Sequence, residues 1–407
     1  MTKYFSFLKD PSAKILFLIF VANFFYDDPT LYLYKRIAYS LFIYLALWEI
    51  GKFYYQNKSN QDSYKMPFFY NVYIPLLFLF IIISLSKDLF NPSLNWVTLL
   101  NNPYGILCIS PIFLFVVGAN TDDITPVFKV LMVVIFAFVI VVLLPVFGKV
   151  KYYQGYICAY AFVPFFFISG AQEKYKVLSW LLLFVGLLFS NVSDYRIIAL
   201  RILLFIGLYI SFFICKKFGI LKLLIILISS FCLYQFISNL GDILYLFKDI
   251  IGVKTFDDVD TRGFLWTELF GDMKANELFF GRGFLGKYFS EYFLMILVHY
   301  QTYADHYDRF SVEVGFLQLV LKGGFFWYFL YITLILYSSI KGIFWHYNNK
   351  IVFSISIFLL TELYLMYIEN IPYFSFQFSL IFFLAGFSIR KMKNDNEIEQ
   401  TIALSTR

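Results

Sequence analysis

Long apolar runs separated by short polar breaks dominate this chain. They fall near residues 13–26, 33–55, 67–86, 104–119, 127–147, 152–170, 175–191, 195–214 and 218–238. Three more follow near 324–343, 351–369 and 373–389. A helix crosses a bilayer with ~17–25 mostly apolar residues, so the pattern predicts about 12 spans. The expected fold is all-α: a polytopic transmembrane helix bundle with one long extracytoplasmic loop. The first run follows Lys3, Lys9 and Lys14 and ends at Asp27, Asp28 and Pro29. With no small-x-small cleavage site after it, a retained helix is expected rather than a signal peptide.

Lys and Arg in the short loops set the orientation. Lys52, Lys58, Lys65, Lys174, Lys176, Lys216, Lys217, Lys341, Lys350, Arg390, Lys391 and Lys393 share one side. Lys149 and Lys151 fall on the other, and Lys35 with Arg36 fit as snorkelling residues. This places both termini in the cytoplasm and the 239–310 connection outside. Residues 1–238 then form an N-terminal bundle. Residues 239–323 make the loop and a helix that dips back over 312–321, too short to cross. Residues 324–390 are C-terminal spans, and 391–407 a cytoplasmic tail. The loop holds Phe264, Leu265, Trp266, Leu269, Phe270, Leu278, Phe279, Phe280 and Phe284, enough to bury a small core of its own.

Composition agrees with the pattern. The 407 residues are 60% hydrophobic and 15% charged, with mean hydropathy +0.72. Soluble domains average nearer ~45–50% and ~25%, and a globule of this size has no interior for such a surplus. A soluble enzyme, a secreted domain and a disordered chain are excluded. Aromatics reach 23%, but Ile, Asn and Lys are rich too, as an AT-biased coding sequence would make them. Single aromatics therefore carry no functional weight. Cys108, Cys158, Cys215 and Cys232 lack any metal or disulfide spacing, and no metal or cofactor is expected.

Charges within spans are costly and mark candidate sites. Arg196 and Arg201 open the eighth span. Arg196 has Asp194 as a ready structural partner, whereas Arg201 sits about a turn deeper. Glu362 lies deep in the eleventh span, where pairing with a bundle cation is the plain explanation. Glu369 is expected at the outer surface, and Glu49 near the cytoplasmic end of its helix. The 239–310 loop carries seven basic residues against eleven acidic. Individual arginines, not a basic surface, would have to bind an anion there: Arg262, Arg282 or Arg309. Gly281 and Gly283 flank Arg282; such glycines let backbone N–H groups approach a phosphate, or they simply make a turn. No Gly-Lys-Ser/Thr follows, so a nucleotide P-loop is excluded. For a general base, Glu313, His306, Asp305 and Asp308 are available on the outer face.

Arg196-x-x-x-Leu200, Arg262-Gly263-Phe264-Leu265-Trp266 and Leu278-Phe279-Phe280-Gly281-Arg282-Gly283 follow one another in order. Glu313-Val314-Gly315-Phe316-Leu317-Gln318 and Gly323-Gly324 come next. Together they resemble the O-antigen polymerase and ligase superfamily over roughly residues 190–345; the earlier spans match only in hydropathy. The resemblance implies a metal-independent membrane glycosyltransferase of the bacterial cytoplasmic membrane. Its donor would be a glycan on undecaprenyl diphosphate, its other partners membrane lipids and a chain-length regulator, with no nucleic acid. Arg196, Arg201, Arg262, Arg282 and Arg309 would bind the diphosphate, and Arg262 would stabilise the leaving group. Glu313, then His306, would be the base. Ligases carry a histidine where this chain has Glu313, which favours a polymerase of O-antigen or capsule repeat units. A ligase is the alternative, and a transporter or flippase of lipid-linked sugars comes third.

Overall fold

A computed structural model of the chain describes residues 6–25, 33–58, 72–89, 99–100, 105–143, 157–170, 175–192, 196–238, 263–291, 293–294, 308–370 and 375–405. Among them the fold is helical, as the apolar runs require. Helices α1 (Pro11–Phe25), α2 (Leu33–Lys58) and α3 (Ile74–Leu89) come first. A 3-10 turn at Ile106–Ile109 then leads into α4 (Ser110–Ala119), with Pro111 in its first turn where the missing N–H costs nothing. Next are α5 (Thr125–Leu143), α6 (Phe162–Gly170), α7 (Lys176–Val192), α8 (Arg196–Ile214) and α9 (Gly219–Ser238). Among the described residues two helices, over Ile197–Ile214 and Gly315–Phe344, are long and apolar enough to cross a membrane. Large apolar side chains, among them Trp48, Ile82, Phe136, Phe184, Phe213, Ile228 and Phe329, stand exposed on the outer faces of the helices.

The 239–310 connection is folded where it is described. It forms α10 (Gly263–Asp272) and α11 (Ala275–Phe280). It also pairs β1 (Tyr288–Phe289) antiparallel with β2 (Asp308–Arg309), a strand pair the apolar periodicity did not announce. Leu265, Leu269, Tyr288, Val312, Phe316, Leu317 and Val320 make its core. Phe279 and Phe280, expected inside, are exposed, because their short helix packs by its backbone. Phe284 instead leaves the loop core and enters the bundle, edge-on to Phe80 at 5.6 Å.

The chain then forms α12 (Gly315–Phe344), α13 (Lys350–Leu365) and α14 (Phe376–Ser405). The side chain of Asn349 caps α13 by accepting from the Val352 N–H. Helix α14 runs on through what the sequence assigned as a tail, since no Gly or Pro interrupts 387–405. It lies against α4 at very short range. A β-carbon on Gly118 would strike the Phe383 carbonyl, and one on Gly386 the Phe115 carbonyl, the small-residue contact expected of membrane helices.

The expected short helix over 312–321 and the span from 324 meet end to end inside α12. Gly324 breaks the helix with φ 67° and ψ −171°, a conformation that disfavours any side chain. The break strips the Leu321 and Lys322 carbonyls of their intrahelical donors. The loop replaces them: Arg282 N–H donates to the Leu321 carbonyl at 2.8 Å, and Gly283 N–H to that of Lys322 at 3.1 Å. A β-carbon on Gly281 would overlap the Lys322 backbone, and one on Gly324 that of Phe279. The two glycine pairs are thus halves of one joint. Gly324→Val should open it. Backbone strain in this glycine-only region costs ~1–3 kcal/mol, so limited proteolysis should cleave residues 263–291 roughly tenfold faster.

Candidate functional site

Around this joint the loop is tied down by charges. Asp88, in the last turn of α3, accepts the Phe284 and Leu285 N–H groups at 2.9 and 2.8 Å. Lys87 donates to the Phe280 carbonyl at 3.0 Å. Lys322 is fully buried; its ammonium donates to the Gly286 carbonyl at 2.7 Å and lies 3.3 Å from the centre of the Phe310 ring. The backbone N–H groups from 282 to 285 are therefore all engaged within the protein. In this arrangement the glycines around Arg282 let the loop dock on the broken helix.

Arg282 is likewise committed. Its Nε donates to Glu277 at 3.2 Å, Nη1 to Asp272 and the Lys287 carbonyl at 2.5 and 2.8 Å, and Nη2 to Glu277 and the Asp272 carbonyl at 2.9 and 2.6 Å. Those bonds use all five donors of a guanidinium. In this arrangement Arg282 clamps α10 to α11 and to the backbone just before β1. Burial would raise the Glu277 carboxyl, but the Lys274 N–H and Arg282 outweigh it and hold it below the usual carboxylate range. A depressed acid stabilises the fold at pH above its unfolded value of ~4.3 and loses that contribution as pH falls. Protection of 263–291 from an acid-tolerant protease should hold at pH 7 and 5 and fall below about pH 4. Glu277→Gln should lose part of that protection already at pH 7.

Arg201 is also locked, and deeper. Its side chain is 1% exposed; Nε donates to Glu362 at 2.9 Å and Nη2 to Glu369 at 2.8 Å. The guanidinium lies 4.5 Å from the centre of the Tyr160 ring. Glu362 thus has the bundle partner its position called for. Glu369, expected at the outer surface, is drawn in by Arg201 to 12% side-chain exposure. The Glu369 and Met366 carbonyls accept the Gly315 and Phe316 N–H groups at 3.0 Å each, which fixes the start of α12 on this cluster. In this arrangement the Arg201 guanidinium is spent on Glu362 and Glu369.

Two of the candidates do meet, where β2 leads into α12. Arg309 on β2 donates through Nη2 to Glu313 at 3.0 Å and through Nη1 to the Tyr288 hydroxyl at 3.4 Å. The guanidinium also lies 3.6 Å from the centre of the Phe293 ring. Glu268 and Glu313 both act electrostatically on Tyr288, and Ser290 donates to Glu268 at 2.8 Å. Burial pushes the Tyr288 phenol up to about 12, against the pull of Arg309, so it stays a neutral hydroxyl. Two of the five Arg309 donors are used among the described residues, and the Glu313 carboxylate is 49% exposed. The arrangement offers an anion-binding fork beside an accessible proton acceptor. Glu268, Tyr288 and Ser290 were not singled out in the sequence, because only the β1–β2 pairing brings them to Arg309. Arg262 and His306 lie outside the described residues, as does the side chain of Arg196, whose backbone opens α8.

An apolar cavity of about 740 Å³ lies between α9, α12 and α13, walled by Ile226, Leu233, Leu336, Leu360 and Leu363. Trp266 of α10 and Tyr367 reach it from the loop end. Trp266 stacks on Phe316 at 4.9 Å, and Phe316 on Tyr367 at 5.6 Å, so the loop core and the cavity share one wall. In the sequence, Arg262 stands directly before Gly263, the first residue of α10. Trp266 and Glu268 leave that helix about 200° apart, so the Arg309 cluster occupies the other side of α10. No family model matches the chain, and no curated protein or solved structure matches it either.

Proposed function

We propose that this chain is a polytopic membrane glycosyltransferase that polymerises oligosaccharide repeat units carried on a polyprenyl diphosphate. About twelve helices would cross the membrane, with the 239–310 connection on the outer face and both termini in the cytoplasm. The exposed apolar side chains along the bundle support the membrane part of this reading, since water would not tolerate them.

The observation that carries the rest is the apolar cavity ending at Trp266. Its volume falls in the ~300–1,000 Å³ range of ligand sites, its wall is aliphatic and aromatic, and it ends where the loop begins. A polyprenyl tail suits such a wall. A tail lodged there would bring its diphosphate to the segment that begins with Arg262. With Arg201 and Arg282 committed elsewhere, Arg196, Arg262 and Arg309 are the cations left for the phosphates.

Transfer breaks the bond between the sugar and its diphosphate, and charge grows on the leaving oxygen. A guanidinium placed there stabilises the transition state more than the ground state. The acceptor hydroxyl gives up its proton as it attacks; Glu313, half-exposed beside Arg309, is the first candidate to take it, and His306 the second.

Leu233→Trp, which fills the cavity from a half-buried position, should shorten or thin the surface-polysaccharide ladder several-fold at unchanged protein level. Gel analysis of a strain lacking the gene, complemented with wild type or variant, reads this. A ladder restored equally by both would remove the cavity from the account. Full-length polymer stranded on its lipid carrier in the deletion strain would mean a ligase instead.

A further inference from the structure

The C-terminal end of α12 gathers cations that meet no acid. Of the α9 side chains described, only that of Lys222 is buried, at 1% exposure. Its ammonium donates to the Ile343 carbonyl at 2.7 Å, in the last turn of α12 where carbonyls lack an intrahelical donor. The same ammonium lies 4.3 Å from the centre of the Tyr347 ring, and that of Lys216 lies 5.8 Å from it. Lys216 acts on Lys222 by repulsion. Lys341, also in the last turn of α12, donates to the Tyr337 hydroxyl at 3.2 Å. Among the described residues these three lysines contact a carbonyl, a phenol and aromatic rings, and no carboxylate. The negative end of the α12 dipole offsets about half a charge, so the helix end stays positive and attracts an anion.

Beside these cations α12 carries a groove of about 600 Å³, lined by Thr333, Leu336, Tyr337, Ile340, Lys341 and Trp345. The positions recur every three or four residues, so the groove runs along one face of the helix. It is apolar at Leu336 and Ile340 and basic at its Lys341 end, where His346 closes it one residue before Tyr347. Tyr337 and Trp345 stand 50% and 68% exposed. Trp and Tyr settle at the level of lipid headgroups, and a lysine near a helix end extends its ammonium to that level. The groove meets the larger cavity behind α9 only at Leu336, so it is a second surface and not the mouth of the first.

We infer that this groove binds a diacyl phospholipid with an anionic headgroup, its chains along Leu336 and Ile340 and its phosphate drawn to Lys341 and the neighbouring Lys216. Charge complementarity selects the lipid, since basic residues at a membrane surface attract anionic headgroups. The inference rests on the membrane part of the proposed function and not on sugar transfer.

Native mass spectrometry of the full-length protein, stripped of lipid in detergent, tests it. The protein is then given equal amounts of phosphatidylglycerol and phosphatidylcholine with identical acyl chains. Wild type should retain the glycerol lipid several-fold better. The double variant Lys216→Gln/Lys341→Gln should hold the two equally, while Lys129→Gln, the same loss of charge at the exposed start of α5, should keep the preference. Lys222 is left intact because it caps α12. Equal retention by wild type overturns the inference, as does a preference that survives the double substitution or is lost equally with Lys129→Gln. Displacement of the lipid by excess inorganic phosphate would mean a soluble-anion site and also overturns it. So does a wild-type dimer that the double variant separates, which would give this face to a second copy. A wild type that holds neither lipid would contradict the membrane placement as well, whereas loss of the preference alone leaves that placement standing.

Discussion

Arg262→Ala should reduce surface polymer by about 10²–10³-fold, the usual consequence of removing one preorganised donor from a developing oxyanion. The variant should remain in the membrane at wild-type level. Arg262 immediately precedes α10, and the fourth residue after it, Trp266, lines the apolar cavity. It is therefore the arginine best connected, along the chain, to a lipid tail held there. Arg262→Lys separates charge from shape: a lysine keeps the positive charge but not the two-pronged donor set that grips a phosphate. Partial recovery with lysine assigns the effect to charge, and none assigns it to the fork. Arg282→Ala is the necessary contrast. Its side chain bonds only within the loop, so it should raise protease sensitivity of 263–291 along with any loss of polymer. Protease sensitivity unchanged by Arg282→Ala would return that residue to the diphosphate site.

The second large effect is on stability. Arg201→Ala removes the cation that Glu362 and Glu369 share, and breaking a buried pair from one side costs ~3–5 kcal/mol. Thermal unfolding in detergent should shift down clearly, and membrane yield should fall. Adding Glu369→Gln to Arg201→Ala should recover part of the loss, because one of the two carboxyls that shared Arg201 is gone. If Arg201→Ala were as stable as wild type and merely inactive, Arg201 would be a ligand contact after all.

The helices were legible because the apolar runs are longer than strands usually are and are bounded by polar breaks. The boundaries of α1, α7, α8 and α9 follow the apolar runs closely. The end of α14 did not, since hydropathy stops at Arg390 while the backbone has no reason to leave the helix before Ser405. Gly281-Arg282-Gly283 stood out in the sequence as a turn, and Gly323-Gly324 as part of the motif before the next span. That they bond to one another did not, because nothing local to either stretch encodes the other. The same holds for Arg201 and Glu362, 161 residues apart: each read as a costly charge, but their pairing belongs to the packing of α8 against α13. The strand pair that joins Tyr288 to Arg309 is two residues long on each side, too short for any periodicity to reveal. Arg309 and Glu313 pair only four residues apart, but in the sequence they read as separate candidates.

The most direct test of the account is reconstitution. The purified protein in liposomes, given a chemically defined polyprenyl-diphosphate-linked repeat unit and nothing else, should yield a ladder of longer lipid-linked glycans. One polyprenyl diphosphate should be released for each unit joined, and Arg262→Ala should suppress both. Donor that stays a single unit while crossing the bilayer would contradict the account and make the chain a transporter of lipid-linked sugars.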